Sequence, residues 1–121
     1  LSGMIIVSLT NSRQIARDTR RKLDLNEISL SLENYYDDQS PNGYVISATE
    51  IDVTGTTDAL TTALVSNYIH EMPTDPLSTR YYHYQSFNNA LDFRLEATLE
   101  NTSDPQGEAD GLDWIFVVDN D

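Results

Sequence analysis

Between Ser2 and Asp38 the chain has no proline and a single glycine, Gly3, with helix-forming residues throughout. A stretch so free of breakers, closed by Asp37, Asp38, Ser40, Pro41, Asn42 and Gly43, predicts one continuous α-helix. At 1.5 Å per residue that helix is about 55 Å long. A compact domain of this size has a radius of gyration of about 14 Å, so one end of the helix must project. The 121 residues suffice for one domain. We therefore expect an N-terminal helix over 1–38, of which 1–22 is a protruding stem and 23–38 packs on a head formed by 39–121.

The apolar positions divide the helix into two faces. Leu25, Ile28, Leu32 and Tyr35 recur at helical spacing and can pack against the head. Leu9, Ala16, Leu23 and Leu30 recur every seventh residue on roughly the opposite side. For Leu23 and Leu30 two readings stand: the segment 44–53 covers them, or a partner molecule does. For Leu9, and for Ile5 and Ile6 in the apolar start LSGMIIVSL, the partner reading is expected. That start has no N-cap signal before it and reads as the last part of a membrane span that begins upstream. By itself it falls short of the roughly 20 residues that cross a bilayer.

The remainder predicts mixed structure. Tyr44, Val45 and Ile46 suggest a short strand, and 57–69 a second helix in which Leu60, Leu64 and Tyr68 share a face before Pro73. The period then changes to two. Strands are expected over 80–85, 91–99 and 114–118, the second with Phe93, Leu95, Ala97 and Leu99 facing inward. Short connections favour an antiparallel meander. The fold class is α+β: a long protruding N-terminal helix packed on a small antiparallel sheet, with a second short helix.

Charge is unevenly spread. Arg13, Arg17, Arg20, Arg21 and Lys22 are five of the seven cations, and Asp18 is the single acid before Leu23. The head is strongly acidic, so nucleic acid or anionic lipid would meet attraction only at the stem; a solvated helix face is the plainer reading. The absence of cysteine excludes disulfides and thiolate metal sites.

Four acids, Asp104, Glu108, Asp110 and Asp113, lie near Gly107 and Gly111 before the last strand. Carboxylate oxygens so spaced form a candidate Ca²⁺ site, with a solvated acidic loop as the alternative. His70 and His83 fit no metal-binding spacing; His83 falls on the wet face of a strand and His70 at the end of the second helix. Neither a nucleophile elbow nor a phosphate-binding glycine loop occurs, and a non-enzymatic role is expected. Tyr81, Tyr82, Tyr84 and Phe87 could stack ligands, though core packing explains such residues more simply. Asn101, Thr102 and Ser103 match a glycosylation sequon, a common chance pattern.

The helix ARDTRRKLDLNEISLSLENYYDD (16–38) resembles the part of a type IV pilin helix that leaves the membrane and ends at paired tyrosines. Tyr68 and Ile69, then Met72, Pro73, Thr74, Asp75 and Pro76, then Tyr82, His83 and Tyr84 resemble the helix, loop and first strand of that family, and FRLEATLE (93–100) continues the likeness. The pieces span most of the chain in order. The resemblance implies the pilin fold and a precursor processed at a methylated N-terminus. It further implies anchorage in the bacterial inner membrane, then assembly by pilus or secretion machinery into an extracellular filament of identical copies. Ile5, Ile6, Leu9, Ala16, Leu23 and Leu30 would pack that filament. Type II secretion pseudopilins share the pattern, and the major ones bind calcium in a comparable loop; they tend to carry Trp-Gly after the Asp-Pro, where this chain has Leu77 and Ser78. A membrane-tethered adhesin or ligand-binding domain is the alternative from another class.

Overall fold

The computed structural model describes residues 2–120, with side chains from Leu9 onward. The expected long helix is present as α1, Ser2–Asp38. It ends where Asn42 Nδ2 donates to the carbonyls of Tyr36 and Gln39, at 2.9 and 3.2 Å, occupying acceptors that the last turn leaves open.

Five strands follow in one antiparallel sheet: β1 (Ile51–Val53), β2 (Tyr82–Phe87), β3 (Asp92–Thr98), β4 (Glu108–Asp110) and β5 (Asp113–Asp119), in the spatial order β1-β2-β3-β5-β4. Strict alternation decides which face is buried. Tyr82 and Tyr84 on β2, Phe93, Leu95 and Ala97 on β3, and Phe116 and Val118 on β5 turn toward α1. There they meet Leu25, Ile28 and Leu32, all fully buried, with Tyr35 packed beside them. The chain is thus α+β, a helix laid across one face of an antiparallel sheet.

Three expectations about the elements need correction. No strand forms at Tyr44–Ile46; Tyr44 and Val45 are core residues in an irregular segment, and the edge strand comes later, at β1. The second helix, α2, is only Ala59–Leu64. Asp58 caps it, accepting from the Thr61 amide at 3.0 Å. Val65 is already extended and Ser66 has φ 85°, a left-handed conformation that stops helical propagation. Glu108–Asp110, expected in a loop, pairs with β5 across a tight turn at Gly111 and Leu112, where Gly111 has φ 61°.

The boundary between stem and packed helix also moves. Asp18 and Arg21 are buried, so α1 engages the head from about Arg17, more than a turn before residue 23.

Candidate functional site

Two opposite sides of α1 define the site. On the inner side, the cations expected to be a solvated stem are largely spent on the head. Arg21, with no exposed surface, sends Nε and Nη2 to the carboxylate of Asp75 at 3.0 and 2.9 Å, and Nη1 to Asp18 and Glu100, both at 2.7 Å. Arg17 holds Glu100 by two further bonds of 2.6 Å. Asp18 accepts from the backbone amides of Glu100 and Asn101, at 2.9 and 2.8 Å, where β3 has ended and its last amides need partners. Lys22 closes the row on Asp104 at 2.6 Å.

The electrostatics follow from this geometry. Burial disfavours the Arg21 charge, but its bonds to Asp75, Glu100 and Asp18 outweigh that and raise its pKa above the ordinary value. The paired bonds from Arg17, helped by Arg21 and opposed by burial, lower the Glu100 pKa to about 2. Tyrosine hydroxyls extend the attachment along α1: Tyr82 donates to Asp24 at 2.7 Å, Tyr44 to Glu33 at 2.9 Å and Tyr68 to Asp38 at 3.0 Å.

On the outer side, Leu9 is 52% exposed, Leu23 64% and Leu30 68%, and Ala16 is exposed in line with them. The segment 44–53 therefore does not cover Leu23 or Leu30. Ile15, not singled out by the seven-residue spacing, is 53% exposed, about 100° around the helix from Ala16. Ile5 and Ile6 lie outside the residues whose side chains are described. No helix among the described residues is long and apolar enough to cross a membrane.

The four acids of the candidate calcium site are not brought together. Asp104 gives one oxygen to Lys22 and the other to the Gln106 amide. Glu108 lies 3.6 Å from Arg94, on the opposite end of its short strand from Asp110, and Asp110 stands across the hairpin from Asp113. Pairing with Lys22 and incorporation of 108–110 into a strand separate them. Tyr82 and Tyr84 are core residues, leaving Tyr81 and Phe87 as exposed aromatics. Phe87 helps line an open hollow of about 470 Å³ with Ile46, Ala48 and the turn at Asn88–Ala90, with no titratable group in its lining. His70 is exposed beyond the end of α2.

His83 does have company that no local motif announces. Among the described residues, Glu50, His83 and Glu96 are the group whose potential ligand atoms lie within 4.8 Å of one another. The register puts Asp52, His83 and Glu96 in a row across β1, β2 and β3. Glu50 and Asp52 precede His83 by 33 and 31 residues and Glu96 follows it by 13, so only strand pairing could reveal the group.

Comparison of the chain with known protein families, with curated proteins and with solved structures finds no match in any of the three.

Proposed function

We propose that this protein is a structural subunit of a type IV pilus or a related pilin-like extracellular filament, assembled through the free flank of α1. The observation that carries the reading is the exposure of Leu9, Leu23 and Leu30, each more than half open to solvent, on a helix whose other side is bolted to the head. A long apolar flank of this kind is covered when copies pack side by side around a common axis. A contact between different patches of identical chains, repeated without closing, builds a filament. The pilin-like order of elements from Ala16 to Glu100 supports the same reading, as does the anchoring of α1, which lets force on the helix reach the head.

In this account α1 is held in the inner membrane before assembly and carries the subunit into the filament, with the acidic head facing outward. The test is Leu23→Asp, alone and with Leu30→Asp, in the native gene. Electron microscopy of the cell surface is expected to show loss of filaments, while the purified variants melt within about 0.5 kcal/mol of the parent because neither residue is in the core. Unchanged filaments from the double variant would overturn the proposal.

A further inference from the structure

On the outer face of the sheet, away from α1, His83 of β2 stands between acids contributed by both neighbouring strands. Asp52 Oδ1 lies 3.1 Å from the ring Nε2, while Glu50 Oε1 lies 3.8 Å from Nδ1. Glu96 completes the group from β3, and its carboxylate is fixed by Arg94, whose Nε donates to Oε1 at 2.8 Å. Three carboxylates thus surround one imidazole with a single arginine to offset them. Like charges so close across a sheet repel; burial and the nearby Glu50 both raise the Glu96 pKa, against the effect of Arg94.

We propose that Glu50, His83 and Glu96 bind a divalent cation of the Zn²⁺ class on this face, with His83 ligating through Nδ1 and Asp52 orienting the ring at Nε2. One imidazole nitrogen with two carboxylates is a donor set suited to zinc and its borderline neighbours, whereas calcium prefers an all-oxygen cage of six to eight ligands. A carboxylate on the far nitrogen of a ligating histidine sets its tautomer and orientation, the role the structure gives Asp52. Donor atoms around tetrahedral zinc stand about 3.4 Å apart, given bonds of about 2.0–2.1 Å. The donor atoms now lie within 4.8 Å of one another, with Glu50 Oε1 3.8 Å from Nδ1, so the side chains must draw together around an ion, and Glu50 is exposed. This site does not depend on the filament reading.

The two histidines make the test internal. Titration of the 121-residue chain with ZnCl₂, followed through the imidazole NMR signals, is expected to shift His83 to saturation at one equivalent and to leave exposed His70 unmoved. Calorimetry is expected to show Zn²⁺ affinity reduced at least about tenfold by His83→Ala and by Glu50→Gln, unchanged by Asp113→Asn in the acidic hairpin. Both variants should melt as the parent does. Binding by His83→Ala as tight as by the parent, equal shifts at both histidines, or equal affinity for CaCl₂ would each overturn the assignment.

Discussion

Arg21 and Asp75, 54 residues apart, meet through two parallel hydrogen bonds with neither side chain exposed to solvent. Such a fork fits a guanidinium to a carboxylate in one orientation, so it fixes the rotation of α1 as well as its distance from the loop before β2. Arg21→Ala would strand the carboxylate of Asp75 in the interior and leave Asp18 and Glu100 with one cation between them. Breaking a buried pair from one side costs about 3–5 kcal/mol, a large part of a total stability of about 5–15 kcal/mol. Urea unfolding should show that loss, and Arg21→Lys, which keeps the charge and loses the fork, should fall between it and the parent.

Glu100 makes the same junction sensitive to acid. Its folded pKa of about 2 lies below its ordinary value of 4.5, chiefly because Arg17 binds the ionised form. A depressed carboxylate contributes stability that is complete above the unfolded pKa and is lost as pH falls through the folded one. The midpoint of urea unfolding should therefore decline between about pH 4.5 and 2. Asp24, whose pKa burial raises, acts in the opposite sense in that range. The informative quantity is thus the difference between the parent and Glu100→Gln, which should shrink toward the acid end; a difference independent of pH would contradict the pairing.

The legible and illegible parts of this chain divide by sequence distance. Leu25, Ile28 and Leu32 announced the buried face of α1, and Phe93, Leu95 and Ala97 that of β3, because each pattern is complete within a few residues. Arg17, Arg21 and Lys22 read as a solvated stem because their partners, Glu100, Asp75 and Asp104, lie 54 to 83 residues away. Separations of 33 and 13 residues, shorter but still beyond any local motif, hid the gathering of Glu50 and Glu96 about His83. Local signals failed where a competing interaction was stronger: the left-handed turn at Ser66 cut short an apparently longer helix, and pairing with β5 drew Glu108–Asp110 out of the acidic loop. The apolar flank of α1 was visible as a seven-residue recurrence, but its exposure depended on where the segment 44–53 runs.

The three tyrosine bonds along α1 should rank by burial. Tyr82→Phe removes the donor that Asp24 uses in a half-buried position and should cost about 1–3 kcal/mol. Tyr44→Phe, whose partner Glu33 keeps access to water, should cost about 1 kcal/mol. Tyr68→Phe, acting on exposed Asp38, should leave the unfolding midpoint unchanged. Tyr82→Phe should also raise the Asp24 pKa further, since the hydroxyl now lowers it against the effect of burial; carboxylate NMR would read that shift directly.

Trp114, the only tryptophan, reports on the loop that Lys22 holds. Its indole Nε1 donates to the Asp104 carbonyl at 2.9 Å, and the ring passes so close to Gly107 that a Cβ there would overlap it. Gly107 has no side chain to yield, so in Gly107→Ala the indole itself must move. Its hydrogen bond would be lost and the turn from Asp104, closed by the Gly107 amide at 3.0 Å, would loosen. Overpacking of this kind costs about 1–3 kcal/mol. The displaced indole should gain contact with water, shifting its emission to longer wavelength, and Lys22 should lose part of its hold on Asp104. Unchanged emission together with unchanged stability would mean that the ring does not lie over Gly107.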